Sequence, residues 1–399
     1  MRRARGSGGD PGLTRHPVWS SGFRPFFLAA AVYGPLLLIA WSGARAGWWG
    51  WPQVALPLPL LHAHELLFGF AAALVCGVLL TALPSWTGAG EVRGRPLAAL
   101  AILWLAGRIA MHGAGWLPAP LVLLLDGALL PALAVLLFAT IGGARRRLFW
   151  WTLPPLAAFA AANVLFHVAQ MRGAAGDVQW ALRLGVHALA FLFTLYGGLF
   201  IPAFTRRWLQ ERGQPAAAIW LPLEYATAVA MLAFAGADLA AAPSGWIVAA
   251  ALGAAGIHVW RQARWRGWRA RSEPLLWSIH LGYLWLIVAL GLRALAELTP
   301  AVPREAWIHA FTIGAYGMLK IGLMTRVALR HTGRPLVAPR PMQFAFMLMF
   351  TAALLRLLYA LGPPAEGVLL AAAGLWAAAL LTYLAVHGPM LWRPSRPRG

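Results

Sequence analysis

A chain of 399 residues that is 60% hydrophobic and only 11% charged has too few polar side chains to cover a soluble globule. Its formal charge of +21 would point to nucleic acid in a soluble protein, but the arginines fall in short clusters between apolar runs, where they act as topology signals. What remains is an all-α polytopic membrane protein in contact with lipid, with no nucleic-acid partner. Its single Cys76, inside an apolar run, excludes a disulfide framework or a CxxC motif.

The opening segment MRRARGSGGDPGLTRHP lacks an apolar core and cleavage site directly after its arginines, so the first apolar run reads as a retained helix. Runs of the length that crosses a hydrocarbon core, about 17–25 residues, then recur twelve times. They cover 24–43, 57–84, 96–112, 120–141, 149–171, 180–205, 219–237, 244–262, 275–297, 304–330, 341–361 and 366–387. One set of intervening segments carries Arg2, Arg3, Arg5 and Arg15, then Arg93 and Arg95, Arg145 to Arg147, Arg206, Arg207 and Arg212, and five arginines from Arg261 to Arg271. The same set continues with Arg326, Arg330, Arg334 and Arg340 and ends with Arg393, Arg396 and Arg398, whereas the opposite set holds only Arg45, Arg172, Arg183 and Arg304. The positive-inside rule puts both termini in the cytoplasm, in agreement with an even number of helices. Tryptophans such as Trp48, Trp49 and Trp51 gather where interfaces are predicted.

The histidines show a period. His64, His187 and His309 open the second, sixth and tenth runs at spacings of 123 and 122 residues, and Trp86, Trp208 and His331 close the same runs. Arg24 and Arg147 are also 123 apart. The chain, a single membrane domain over 1–399, therefore reads as three four-helix units, 16–141, 142–264 and 265–390, in a pseudo-threefold bundle. The three histidines would share one depth near the periplasmic face.

Ionisable groups inside a membrane are functional candidates because burying them there is costly, and neutral imidazole suits haem iron and copper. On a regular helix, successive residues turn by about 100°, so His62 and His64 project to nearly opposite faces. This assigns His64, with His309 as the opposite axial ligand, to a haem, and His62, with His187, to copper or to a supporting shell. His280 and His331 lie towards the cytoplasmic end, as a second cofactor site or as structural residues. His112 and His167 read as rim residues, and His16, His258 and His387 as structural or interfacial ones. Arg108, Arg293, Arg356 and Lys320, the only lysine, add charge inside the apolar runs; Lys320 is expected on a face similar to that of His309.

With these residues in view, the chain resembles the NnrS family of haem- and copper-containing bacterial inner-membrane proteins of the nitric oxide response. The resemblance is carried by FRPFFL (23–28), HAHELLFGFAAALVCGVLLTALPSWTG (62–88), LWLAGR (103–108), IPAFTRRWL (201–209), HLGYLWL (280–286) and IHAFTIGAYGMLKIGLMTRVALRHTGRPL (308–336). It implies twelve membrane helices, haem b and copper, and protection against nitrosative stress, and it carries over His62, His64, His280, His309 and His331. Leu66 stands where the family pattern usually has methionine, and Lys320 where it has a small or polar uncharged residue. The architecture also resembles the catalytic subunit of haem-copper oxidases and nitric oxide reductases. However, His187 is followed by Tyr196 nine residues on, and the seventh run has no histidine, which argues against a conventional binuclear centre.

Two function classes follow. One is a redox metalloprotein that binds or converts nitric oxide or a related small ligand and takes electrons from a donor that the sequence does not identify. The other is a transporter or channel whose intramembrane His, Arg and Lys line a substrate or proton path. A scaffold in which polar groups only join helices is the plainest alternative.

Overall fold

Long apolar runs in lipid form helices because only a helix satisfies every backbone N–H and C=O within its own segment. The computed structural model describes residues 16–51, 56–142, 147–363 and 365–397, and no strand occurs among them. The arginines at positions 2, 3, 5, 15, 145, 146 and 398 lie outside the described residues.

In chain order the helices are α1 (Phe23–Arg45), α2 (Leu58–Thr87), α3 (Arg95–His112), α4 (Ala119–Gly142, with a turn at Ala128), α5 (Leu153–Met171) and α6 (Ala175–Gln210). They continue as α7 (Leu221–Leu239), α8 (Ser244–Arg264), α9 (Pro274–Leu298), α10 (306–331), α11 (Arg340–Leu361) and α12 (Glu366–Trp392). Proline stands in the first turn of α2, α3, α5, α7, α9 and α11, where the N–H it lacks would have no intrahelical partner. Gly88 closes α2 in the left-handed region at φ 77°, the position that a side chain disfavours.

Eight helices among the described residues are long and apolar enough to cross a membrane: α1, α2, α4, α5, α6, α9, α11 and α12. The runs predicted at α3, α7, α8 and α10 are helical but fall outside that set. The physical reason is the polar and charged groups they carry, among them Arg108, Asp238, Arg261 and Lys320, which lower their mean hydropathy.

Burial separates an inner from an outer layer. The most apolar stretch of α2 is 94% buried and that of α6 is 83% buried, against 28% for α11. Side chains of α2, α6 and α10 meet around a central void of about 20 Å³, lined by residues that include Val75, Leu192 and Lys320. The three helices that carry His64, His187 and His309 thus converge. At the periphery α1 packs on α12. The buried Arg24 joins the chain ends there, its Nη1 donating to the carbonyls of Leu391 and Arg393 at 2.7 Å each.

Two inner helices depart from regular winding just past their histidines. π-Helical segments run over Glu65–Ala71 in α2 and Ala310–Gly317 in α10. Wide turns of this kind concentrate at functional sites. His62 and His64 precede the distortion and stay on the regular turn Leu58–His64, so they keep their opposed directions. Lys320 follows the distortion in α10, which changes its register relative to His309; it lines the central void with its Nζ 4.9 Å from the Tyr316 ring centroid.

Candidate metal and cofactor sites

The structure sends His62 and His64 into two different environments. His64 is wholly buried in a charged cluster drawn from α2, α3, α4 and α5. Its Nδ1 lies 3.0 Å from Glu65 Oε1, and its Nε2 lies 2.9 Å from Asn163 Oδ1 and 3.2 Å from Asp126 Oδ2. The same Asp126 oxygen is 2.8 Å from His167 Nε2 and accepts from Asn163 Nδ2 at 2.9 Å. Arg108 donates to Glu65 Oε1 at 2.6 Å and to Asp126 Oδ1, while Tyr33 donates to Glu65 and contacts His112 Nε2 at 3.0 Å.

Local sequence makes this cluster buildable. Gly69, inside the π-helical segment, leaves the space that the Arg108 side chain crosses; a Cβ there would meet Arg108 Nη1 at 2.6 Å. In their ordinary ionised forms Glu65 and Asp126 bring two negative charges against one from Arg108. Both ring nitrogens of His64 face oxygen acceptors, so in the absence of a metal the second positive charge comes from a proton on each nitrogen. His64, Asp126 and His167 present ligand atoms within 4.8 Å of one another, close enough for a metal cation to take the place of the protons they share. Two imidazoles with oxygen donors are the set that suits copper(II) among other divalent ions.

His187, like His64, meets a buried aspartate that an arginine holds. Its Nε2 lies 2.7 Å from Asp238 Oδ2, and Asp238 Oδ1 accepts from Arg293 Nε at 2.6 Å. Arg293 then donates to Glu297 Oε1 at 2.8 Å, and Arg304 stands 3.5 Å from the same carboxylate. Two carboxylates meet two guanidinium groups, and the His187 ring packs on Trp307 and Phe234. The charges of this cluster balance, and His187 Nδ1 is buried without a hydrogen-bond partner.

His62 faces a cavity of about 420 Å³ that it shares with His309. That volume falls within the range of about 300–1,000 Å³ typical of cofactor sites. The walls include Leu38, Phe70, Leu189 and Trp376, and Arg183 and Arg356 line it beside Glu305, while Arg45 at its edge is paired with Glu366. His309 Nδ1 is 3.2 Å from the Glu305 carbonyl, which can only accept, so Nδ1 carries the proton and Nε2 the lone pair. That lone pair faces Arg356 Nη2 at 3.0 Å. A proton held by a backbone carbonyl on one ring nitrogen, with the lone pair on the other, is the tautomer of a metal-ligating histidine, although here that lone pair accepts from Arg356. His62 is held against Trp41, with ring centroids 4.4 Å apart, and its Nδ1 is buried without a hydrogen-bond partner. Arg356 Nη1 is buried and unpartnered as well. A flat apolar ligand with an electrophilic metal and carboxylate arms would satisfy all of these groups, so the residues fit a haem.

Of the residues singled out from spacing, the structure brings together His62 with His309. It places His64 on Asp126 and Asn163, away from His309, and His187 on Asp238, outside the cavity that His62 lines. His280 donates to or accepts from Thr205 Oγ1 at 2.9 Å beside Trp265, while His331 packs on Phe23, so these two share no site. His167, expected at the rim, is buried on Asp126. His258 is bonded to Tyr283 at 2.6 Å, His387 stacks on Tyr383 and His16 packs on Trp392. Reasoning from histidines alone passes over Asp126, Asp238 and Asn163. The available signal was a carboxylate inside the fourth apolar run and another directly after the seventh, where each needs a partner as much as an imidazole does.

Among known families, the model described as NnrS protein matches residues 17–395. No curated protein matches the chain.

Proposed function

The chain belongs to the NnrS family over nearly its whole length, and on that premise we propose that it is a bacterial inner-membrane haem and copper protein of the nitric oxide response. Membership suggests a membrane protein of that response. The finer reading assigns nitric oxide or a related small redox ligand to the His62–His309 cavity. It includes all twelve helices crossing the bilayer with both termini cytoplasmic, in three units of four.

The observation that supports it best is the pairing of an open cavity with orphaned polar groups. His62 Nδ1 and Arg356 Nη1 lack partners, His309 Nε2 carries a lone pair that only Arg356 Nη2 meets, and Arg183 also lines the cavity. In this reading His62 and His309 hold haem b, and the arginines receive its propionates, since a guanidinium fork matches a carboxylate. When bound, haem supplies an iron centre for gas binding or one-electron transfer. His64, Asp126 and His167 hold copper, with Asn163 Oδ1 beside them, and Arg108 keeps the net charge of the emptied cluster low. Around the haem side the chain's own work is exclusion and orientation: Trp41 fixes the His62 ring, and the Glu305 carbonyl fixes the His309 tautomer. Electrons come from a donor outside this chain.

The test is the optical spectrum and metal content of the purified protein, repeated with nitric oxide added. His309→Ala and His62→Ala are expected to lose the b-haem absorbance, whereas His64→Ala retains it and loses copper. Haem lost with His64→Ala and kept with His62→Ala would overturn the assignment. A nitric oxide-induced shift of the haem bands supports ligand binding at the iron.

A further inference from the structure

At the end of α1 opposite the haem-sized cavity lies a second one, of about 290 Å³. Arg24 faces it, and Arg45 stands at the other cavity, 21 residues on, about 32 Å along a helix at 1.5 Å per residue. That separation equals the hydrocarbon thickness, about 30 Å, so the two cavities sit at opposite faces of the bilayer. Trp392, 59% exposed with the His16 ring against it at 4.6 Å, stands beside the second cavity, where an indole marks the headgroup level.

The lining has a consistent chemistry. Arg24, Arg93 and Arg396 converge on it with Glu91 as the one carboxylate, which lies 3.6 Å from Arg93. Arg24 spends its hydrogen bonds on neutral groups, the Leu391 and Arg393 carbonyls and Ser395 Oγ at 2.8 Å, so its charge is not cancelled. Arg396 has no carboxylate partner among the described residues. Ser21, 6% exposed, also lines the cavity, and its Oγ is buried without a hydrogen-bond partner. A hydroxyl without a partner amid surplus guanidinium charge calls for an oxyanion.

We propose that this cavity binds a phosphate group at the membrane surface, with Arg24, Arg93 and Arg396 supplying charge and Ser21 donating a hydrogen bond. An anionic phospholipid headgroup and free inorganic phosphate share this chemistry. The proposal stands apart from the haem and copper reading, because none of these residues lines that cavity.

The full chain, purified in neutral detergent, is titrated with phosphatidylglycerol, with phosphatidylcholine and with inorganic phosphate, and bound species are counted by native mass spectrometry. Phosphatidylglycerol is expected to bind more tightly than phosphatidylcholine, and Arg93→Gln and Arg396→Gln each to weaken it roughly fivefold, as a surface arginine near an anionic headgroup does. Ser21→Phe, which fills the cavity while keeping every arginine, should abolish the tight site; helicity and monodispersity check that the variants fold. Inorganic phosphate that binds and displaces the lipid identifies free phosphate as the ligand; lipid binding without such competition identifies the headgroup. Equal affinity for the two lipids with no phosphate binding, or binding unchanged in folded variants, overturns the proposal.

Discussion

His62 and His64 are two residues apart in sequence and stand in opposite kinds of site. On one face of α2, His64 has every ring nitrogen engaged by oxygen acceptors in a packed cluster of Glu65, Arg108, Asp126, Asn163 and His167. On the other face, His62 lines a cavity of about 420 Å³ with a nitrogen left unpartnered. The difference shows that burying an imidazole does not by itself make it a ligand for a bulky cofactor. What matters is whether the surrounding helices fill the space beside the ring with charge or leave it open. The His187 cluster makes the point again: it lies 123 residues after His64 and has the same acid partner type, yet its charges balance, and His187 is not among the residues that line the cavity.

Breaking the charged side should have the largest effect. Arg108→Leu leaves Glu65 and Asp126 buried without their guanidinium group, at a cost of about 3–5 kcal/mol. The expected outcome is a large drop in the yield of folded protein and in the thermal unfolding temperature in detergent. Arg108→Lys should recover only part of it, because an ammonium cannot fork between two carboxylates. If Arg108→Leu unfolds at the wild-type temperature, the cluster is not what fastens α2 to α3 and α4.

Asp126→Asn sharpens the comparison without removing bulk. It takes away the carboxylate shared by His64 and His167, so bound copper, measured by elemental analysis, should fall to background while haem absorbance persists. Copper that stays at wild-type stoichiometry would move the metal elsewhere. Gly69→Ala probes the same cluster from the backbone, since its Cβ would meet Arg108 Nη1 at 2.6 Å. It also meets Tyr33 Cε1 at 2.9 Å, and it should lower stability less than Arg108→Leu does, because both side chains can shift while the guanidinium stays in the cluster.

On the open side, Arg356→Gln should speed the transfer of haem to an acceptor apoprotein by about tenfold, the equivalent of one charge-assisted hydrogen bond of about 1.5 kcal/mol. The shape of the spectrum should not change, because His309 and His62 remain. The smallest effect is expected at Arg45→Gln. Its ion pair with Glu366, 3.0 Å long, is between half-exposed side chains and is worth under about 1 kcal/mol in stability.

Much of the fold was legible in the residues. Each of the twelve apolar runs has a helix at its place among the described residues, and run 57–84 differs from Leu58–Thr87 by a few residues at the ends. Apolarity is a local property, so a window along the chain reads it well. The opposed directions of His62 and His64 were equally legible, because helical geometry fixes the angle between them. The partners were not. Asp126 lies 62 residues from His64 and Asn163 lies 99 away, and no local pattern links them.

By itself, then, the sequence determined that this is a helical membrane protein of the NnrS family, with histidines that open three inner helices and charge that must find partners. Tertiary structure alone decided which histidine meets which partner: His62 and His309 on one cavity, and His64, Asp126 and His167 in one cluster. The physical reason is that membership of a site depends on how helices distant in sequence pack and rotate. The π-helical segments at Glu65–Ala71 and Ala310–Gly317 add rotations that equal spacing along the chain cannot register.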